Sequence, residues 1–192
     1  MSELPLIAVT DSATCPRPLA EQIERLAKLT ELRPQAVILR AKSLDKAAYR
    51  TLALQAQQSC EAAGIPLILH SDWQLARELG ISMLHLPLAF LRQISEYERA
   101  YFTWLSTSVH SVGEAQEAQA LGATVLIAGH IYTTQCKAGL APRGLGFLQS
   151  VCSAVSLPVY AIGGIGFDAA QHAELKANGA RGACVMSAYM RL

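Results

Sequence analysis

The feature that most constrains the fold is a pattern that recurs along the chain. A segment with helical spacing ends in a glycine, and a short apolar run follows, at Gly64, Gly80, Gly122 and Gly179. Glycine just past a helix readily adopts the left-handed conformation that closes the helix. The runs that follow are short and apolar, as is typical of parallel strands that are buried on both faces. The pattern therefore predicts an α/β protein.

Eight runs are candidate strands: Leu6–Val9, Ala36–Leu39, Leu67–Leu69, Met83–Leu86, Thr103–Ser106, Val125–Ala128, Val159–Ile162 and Ala183–Met186. Amphipathic stretches of helical length lie between most of them, and Asp168 is placed to cap the helix that runs towards Asn178. Eight alternating units with right-handed crossovers predict a closed (β/α)8 TIM barrel, with residues 1–192 as a single domain. Because the chain is short for such a barrel, an open doubly wound parallel sheet is the alternative.

Composition excludes several classes of protein. Of 192 residues, 52% are hydrophobic and 16% are charged, so intrinsic disorder is excluded. The net charge is +1 and no run of Lys and Arg stands out, which disfavours nucleic acid as a partner. Apolar runs are far shorter than the ~20 residues of a membrane helix, and the N-terminus shows no pattern of a signal peptide. The five cysteines are scattered without a CxxC pair, which favours a reducing cytoplasm over a disulfide framework.

In either α/β architecture, ligands bind at the carboxyl ends of the strands. Gly163 and Gly164 follow the seventh strand candidate, and Ser187 follows the eighth. Two glycines let the backbone approach a ligand closely and direct N–H groups at it, and the loops after strands seven and eight are the usual phosphate site of this barrel. The sequence therefore predicts a phosphate site here, although a glycine pair also suits a simple tight turn.

Three charged or titratable residues after other strands are further candidates. Arg40 and Lys42 are two residues apart, so on an extended chain they project to one side, where an anion could bind; a solvated surface pair is the alternative. His130 follows an apolar strand and a glycine, and an imidazole there could accept and return a proton near neutral pH. A buried histidine bonded to a backbone carbonyl is the alternative for His130.

A metal site is poorly supported by the sequence. His70, Asp72 and His85 are the nearest approach to a ligand set, and hydrogen bonding or substrate contact is the better interpretation of these residues. Cys136 adjoins Lys137, which could lower a thiol pKa, but no histidine partner is evident. The sequence therefore predicts no resident metal and no cofactor.

Several motifs are shared with a known family: Arg40-Ala41-Lys42, His85, Val109-His110-Ser111 with Glu114-Ala115, Ile162-Gly163-Gly164-Ile165, and the loop at 129–140 followed by Arg143-Gly144. On these residues the chain resembles the thiamine phosphate synthase superfamily almost end to end. The loop that contains His130 resembles the TenI branch, the thiazole tautomerases, since synthases carry proline at that position. The resemblance implies a (β/α)8 barrel that acts in thiamine biosynthesis, and a homodimer is common in the family.

Departures from the family pattern bear on the activity. Synthases join a pyrimidine diphosphate to a thiazole phosphate and release diphosphate, with Mg²⁺ held by aspartates on the leaving group. The family's metal-binding aspartates fall on Ser71 and Phe90, and its strand-two glutamine falls on Ile38. The Gly-Gln that follows strand four is replaced by Pro87-Leu88. These replacements favour the tautomerase branch over the synthases.

The resulting prediction is a metal-independent isomerase. It would convert a non-aromatic thiazole carboxylate phosphate into the aromatic carboxythiazole phosphate. Gly163, Gly164 and Ser187 would hold the phosphate. Arg40 and Lys42 would hold the carboxylate, and His130 would move the proton.

Two alternatives stay open at this point. The first is a Mg²⁺-dependent thiamine phosphate synthase. The second is a non-catalytic protein that binds a thiazole phosphate and regulates a partner.

Overall fold

The computed structural model describes residues 4–137 and 139–192, and its strands form one closed parallel barrel. Strands and helices follow one another along the chain in this order: β1 Leu6–Val9, α1 Leu19–Ala27, β2 Ala36–Leu39, α2 Lys46–Ala63, β3 Leu67–His70, α3 Trp73–Glu78, β4 Met83–Pro87, α4 Leu88–Leu91, α5 Glu96–Arg99, β5 Trp104–Val109, α6 Val112–Ala120, β6 Val125–Gly129, α7 Gly144–Ala154, β7 Val159–Ile162, α8 Ala169–Ala177, β8 Gly182–Val185 and α9 Ser187–Arg191. A short 3₁₀ helix, Gln135–Lys137, lies between β6 and α7.

Each strand pairs in parallel with the next, and closure is made by β8 against β1, where Ile7 pairs with Cys184. This pairing confirms the predicted (β/α)8 barrel and excludes the open doubly wound sheet, whose two edge strands would not meet. The prediction of a single domain over 1–192 stays a prediction. In the described part of the chain, no helix combines the length and the apolar character that a membrane crossing needs.

The predicted helix ends are confirmed. Gly64 closes α2 in the left-handed conformation with φ 64°, and Asp45 caps the start of that helix by accepting a hydrogen bond from the Ala48 N–H at 2.8 Å. Asp168 caps α8 in the same way, accepting from the Gln171 N–H at 2.7 Å. A side-chain acceptor at this position satisfies one of the donors that a helix start leaves free, which is worth about 1 kcal/mol.

Two layers of apolar side chains result from the alternation along each strand. One set faces outwards and packs against the helices; Leu39, Leu69, Leu84 and Leu126 belong to it. The other set fills the inside of the barrel: Ile7, Val9, Ala36, Ile38, Ile68, Val125, Ile127, Tyr160 and Cys184. Burial of each large aliphatic side chain stabilises the fold by about 1.5–3 kcal/mol. The inside of the barrel is therefore a packed core rather than a channel.

The fifth strand is longer than predicted. The sequence indicated Thr103–Ser106, whereas β5 spans Trp104–Val109. The polar residues Thr107 and Ser108 hid its second half, yet both are satisfied within the sheet: the Thr107 hydroxyl donates to the Leu86 carbonyl at 2.7 Å, and Ser108 bonds to His85.

Candidate functional site

The carboxyl ends of all eight strands meet at one end of the barrel, which we call the mouth. Strand alternation decides which side chains face its centre. Ile38 and Ile68 lie inside the barrel, so Arg40 and His70, two residues further on, project to the same side. Since Leu39 pairs with Leu69 in the β2–β3 ladder, Arg40 and His70 lie side by side. Arg40 is thus at the mouth, as the sequence predicted.

The backbone and side chain of Arg40 are both fixed by β1. Thr10 is fully buried, and its hydroxyl accepts a hydrogen bond from the Arg40 N–H at 2.8 Å and donates to the Arg40 carbonyl at 2.9 Å. One terminal amino group of the guanidinium forms an ion pair with the Asp11 carboxylate. Lys42 is exposed two residues further along. The predicted pair of cations therefore consists of one anchored side chain, Arg40, and one exposed side chain, Lys42.

A hydrogen-bonded group of histidines and serines lies beside Arg40. His85 is buried and uses both ring nitrogens, Nδ1 with the Ser106 hydroxyl and Nε2 with the Ser108 hydroxyl, each at 3.0 Å. His70 stands 5.2 Å from His85 between ring centroids, and its Nδ1 bonds to the Ser71 hydroxyl at 2.6 Å. These contacts give both imidazoles a defined orientation.

Both histidines are uncharged at neutral pH. Burial, followed by the nearby charges of Arg40 and Lys42, lowers the pKa of His70 to about 4. Burial, with a smaller contribution from His70, lowers the pKa of His85 to about 3. A neutral imidazole offers one N–H donor and one acceptor, so this pair can provide directional hydrogen bonds rather than charge.

On the other side of the mouth, a cavity of about 350 Å³ opens between the loops that follow β6, β7 and β8. Its lining brings together Gly163, Gly164 and Ser187, the three residues predicted to hold a phosphate. Within the described residues, the N–H groups of Gly164 and Ile165 and the Ser187 hydroxyl donate no hydrogen bond to protein. The cavity therefore presents unpartnered donors, as an anion site requires.

The two glycines also satisfy a packing constraint. A Cβ at Gly163 would lie 2.3 Å from the Cβ of His130, and a Cβ at Gly164 would lie 2.5 Å from the carbonyl oxygen of Thr133. Both glycines have positive φ, 104° and 70°. The tight-turn interpretation and the phosphate interpretation of this pair are thus compatible, because the turn that packs against the β6 loop also exposes its N–H groups to the cavity.

His130 is placed differently from the other predicted residues. It is not among the cavity-lining residues, and its Nε2 atom is buried without a hydrogen-bond partner in the part of the chain that is described. The peptide bond between Gly129 and His130 is cis. The Gly129 carbonyl accepts hydrogen bonds from His110 Nδ1 at 2.7 Å and from Arg143 Nε at 3.1 Å. His130, the predicted proton carrier, therefore packs against the Gly163 turn, and its Nε2 atom is buried.

The residues weighed as metal ligands do not form a cluster. Asp72 caps α3, accepting a hydrogen bond from the Leu75 N–H at 2.9 Å, and both nitrogens of His85 are occupied by serines. Among the side chains that the structure describes, no group of three or more His, Cys, Asp and Glu could hold a metal ion. The side chain of Cys136 lies outside the described residues.

Sequence reasoning missed several residues of the mouth. Thr133, Thr134 and Arg191 line the cavity, and Arg191 also donates a hydrogen bond to the Gln135 side chain at 3.4 Å. Ser106 and Ser108 hold His85. The signal that could have indicated the serines is their period of two along the strand, which places both on the face that points into the barrel.

The protein belongs to the class of (β/α)8 barrels. Its glycine-lined cavity lies at the carboxyl ends of β7 and β8, the usual position of a small-molecule pocket in this class. Comparison with known proteins gives the family. The family model described as thiamine monophosphate synthase matches residues 6–189, and the chain belongs to that family.

Individual relatives agree with the family assignment. A thiamine-phosphate synthase of Listeria monocytogenes serotype 4b is 37% identical over 157 residues, which cover 79% of this chain and 72% of the relative. One from Syntrophomonas wolfei is 30% identical over 196 residues, covering 98% and 90%. The solved thiamine phosphate pyrophosphorylase from Pyrococcus furiosus superposes with a TM-score of 0.79 at 24% identity, covering 98% of this chain and 88% of its own, and supports the fold.

These findings correct the predicted function. Relatives 30–37% identical to this chain are named thiamine-phosphate synthase, a transferase, so the prediction of a TenI-type thiazole tautomerase is wrong. The membership of the superfamily and the link to thiamine biosynthesis are confirmed. The prediction rested on the loop that contains His130 and on the replaced residues Ser71 and Phe90, and similarity along the whole chain outweighs these local features.

Proposed function

We propose that this protein is a transferase of the thiamine-phosphate synthase type, which joins a pyrimidine diphosphate to a thiazole phosphate and releases diphosphate. The observation that carries the proposal is the 30% identity to a synthase over 98% of this chain. Relatives with the same name reach 37% identity over a shorter span. The small-molecule partners are thus a pyrimidine diphosphate and a thiazole phosphate.

The cavity at β7 and β8 is suited to the phosphate of the thiazole substrate. The N–H groups of Gly164 and Ile165 and the Ser187 hydroxyl are donors without a protein partner in the described chain, and Arg191 lines the same cavity. Backbone donors hold phosphate oxygens without the conformational entropy that long side chains lose on binding. In this proposal Gly163 forms the turn, and its neighbours bind the phosphate.

The opposite side of the mouth faces the pyrimidine diphosphate. Arg40 and Lys42 follow β2, which is separated from β8 and its side of the cavity by β1 alone. A bound thiazole phosphate would leave this side accessible, so the two substrates would meet over the centre of the mouth. Holding two reactants in a productive orientation lowers the barrier by avoiding the entropy cost of their encounter.

The family implies Mg²⁺ on the diphosphate, and the residues of this chain do not fit that ion. Magnesium prefers several oxygen ligands in an octahedron, usually with one or two carboxylates. Ser71 and Phe90 stand where the family resemblance expects aspartates, Asp72 caps α3, and Asp11 is paired with Arg40. No catalytic step is therefore assigned to a metal here.

A two-substrate assay tests the proposal. The purified protein is mixed with a pyrimidine diphosphate and a thiazole phosphate, with and without Mg²⁺, and thiamine phosphate and released diphosphate are quantified. We expect equal amounts of the two products, formed only when both substrates are present. Absence of thiamine phosphate under both conditions would contradict the transferase function.

A variant pair tests the role of the cavity. Ser187→Ala removes one donor to a charged phosphate and should raise the KM for thiazole phosphate about tenfold. Ser153→Ala, on the exposed face of α7, is the matched control and should leave that KM unchanged. Equal KM values for the two variants would remove Ser187 from the phosphate site.

A second candidate function is a non-catalytic protein that binds a thiazole phosphate. The replacement of the expected aspartates by Ser71 and by Phe90, which is 38% exposed on α4, favours this candidate. Calorimetric binding of thiazole phosphate without formation of thiamine phosphate would select it over the transferase.

A further inference from the structure

The half of the mouth formed by β1 to β3 contains an unusual combination of residues. Arg40 and Lys42 carry positive charge, and His70 lies next to Arg40 in the sheet. The positions of Arg40 and His70 follow from the alternation of β2 and β3, in which Ile38 and Ile68 fill the barrel and the next residues on the same face reach its rim. Lys42 lies in the turn that follows β2, close enough for its charge to act on His70. Ser71, the neighbour of His70, stands where the family resemblance expects a metal-binding aspartate.

Several N–H donors of the Arg40 guanidinium have no hydrogen-bond partner among the described residues. A guanidinium offers five N–H donors, and Asp11 engages one terminal amino group. The guanidinium's Nε and its second terminal amino group make no hydrogen bond within the described chain. Thr10 holds the N–H and the carbonyl of Arg40, and Asp11 holds one terminal amino group, so the free part of the fork has a defined position. Such a fork matches two oxygens of a phosphate group.

His70 adds a directional donor. Its Nδ1 bonds to the Ser71 hydroxyl at 2.6 Å. In the neutral tautomer in which Ser71 donates to Nδ1, the ring proton resides on Nε2, which has no partner in the described residues. Burial, followed by the charges of Arg40 and Lys42, lowers the pKa of this ring, so its neutral form can donate a hydrogen bond to an anion.

The carboxylates that would recruit a metal are missing or already engaged. Asp72 is bonded to the Leu75 N–H, and Asp11 is bonded to Arg40. We propose that this half of the mouth binds a diphosphate group directly, through Arg40, Lys42 and His70, without a metal ion. The inference depends on the proposed function only for the identity of the anion.

Calorimetric titration with sodium pyrophosphate tests the proposal. One titration is made in excess EDTA and one in excess Mg²⁺. We expect pyrophosphate to bind in EDTA at least as tightly as in Mg²⁺, because the metal would compete with the protein for the same oxygens. Binding that occurs only with Mg²⁺ would overturn the proposal.

Three variants locate the site. Arg40→Ala and Lys42→Ala should each weaken pyrophosphate binding in EDTA at least about tenfold, and His70→Phe about tenfold, since each removes a hydrogen bond to a charged group. His70→Asn retains a donor and is the second variant if the phenylalanine disturbs folding. Lys46→Ala, an exposed lysine at the start of α2, is the charge-matched control and should leave the affinity unchanged.

The cavity between β7 and β8 is the alternative binding site for pyrophosphate. If Arg191→Ala weakens pyrophosphate binding while the variants at Arg40, Lys42 and His70 do not, the anion binds between β7 and β8 and the proposal is wrong. Loss of affinity at Arg40 and Lys42 with little change in Arg191→Ala would support it.

The two proposals fail separately. Pyrophosphate binding in EDTA together with no formation of thiamine phosphate would support direct anion binding and overturn the transferase function. Formation of thiamine phosphate that strictly requires Mg²⁺, with no pyrophosphate binding in EDTA, would overturn direct binding and leave the transferase function standing.

Discussion

The two halves of the barrel mouth are built on different principles. Around β1 to β5 the mouth is filled with side chains that bond to one another, such as Thr10 with Arg40 and His85 with Ser106. Around β6 to β8 it is formed by glycine backbone, with a cavity of about 350 Å³ and several donors that have no protein partner among the described residues. The first half is ordered by polar side chains before any ligand arrives. In the second half, backbone packing leaves the space that a ligand needs.

This difference indicates how each half responds to substitution. In the glycine half, added volume should be costly because two backbone segments are nearly in contact. In the polar half, loss of one hydrogen-bond partner should be costly because the other is left buried and unsatisfied. Four predictions test this contrast, from the largest expected effect to the smallest.

Gly163→Ala should lower the free energy of unfolding by about 4 kcal/mol, since the new Cβ would meet the Cβ and Cα of His130 and φ is positive. The two atoms would lie at 2.3 and 2.8 Å. Urea unfolding followed by circular dichroism measures the change. Gly166→Ala, where a Cβ meets nothing within 4 Å, is the matched control. Equal stability of the two variants would show that the β6 and β7 loops are not in close contact.

The buried histidines should make stability fall in mild acid. Their pKa values, about 4 for His70 and about 3 for His85, lie below the ordinary 6.5, so the unfolded chain binds more protons than the folded protein. Stability is therefore full above pH 6.5 and is lost as the pH falls towards the folded pKa values. The loss should be on the order of 3 kcal/mol for His70.

Urea unfolding between pH 7 and pH 4 measures this loss of stability. The double variant His70→Asn, His85→Gln removes both groups and should show a shallower decline than the wild-type protein. An identical decline in the two proteins would mean that the histidines are charged, or solvated, in the folded state.

Thr10→Val should cost about 2 kcal/mol, because the N–H and the carbonyl of Arg40 both lose their partner. Valine has nearly the same shape as threonine, so little of the effect would come from packing. Thermal unfolding is the measurement, and Thr10→Ser, which keeps the hydroxyl, is the control. If the valine and serine variants have the same Tm, the hydroxyl of residue 10 does not stabilise the backbone of Arg40.

Tyr132→Phe should have the smallest effect, about 0.5 kcal/mol. The lost bond joins the Tyr132 hydroxyl to the Glu174 carboxylate at 3.0 Å at an exposed position, where water replaces the partner. Tyr97→Phe, at a side chain that is 80% exposed, is the control. A cost above about 2 kcal/mol at Tyr132 would mean that the β6 loop is held by this bond rather than by its packing on the glycine turn.

Much of the fold could be predicted from local features. Seven of the predicted strands overlap the observed ones to within a residue or two at each end, since apolar runs and helix-closing glycines depend on neighbours in sequence. The exception is β5. Its polar residues Thr107 and Ser108 bond to Leu86 and His85 of β4, and such contacts between strands cannot be seen in an isolated segment.

The candidate site could be predicted in part. Gly163, Gly164 and Ser187 do line one cavity, and Arg40 does reach the mouth, because strand ends and loops follow from the element order. The enclosure of the His130 Nε2 atom could not be predicted, since it depends on how the β6 loop packs on the β7 turn.

The sequence by itself determined the eight-unit barrel and the end of it that carries the ligand, because periodicity and turn chemistry act within a few residues. The tertiary structure alone decided which polar groups meet: that Asp11 engages Arg40, that Ser106 and Ser108 hold His85, and that His70 stands uncharged beside two cations. These contacts join residues that are distant in sequence, and the register of neighbouring strands brings them within reach.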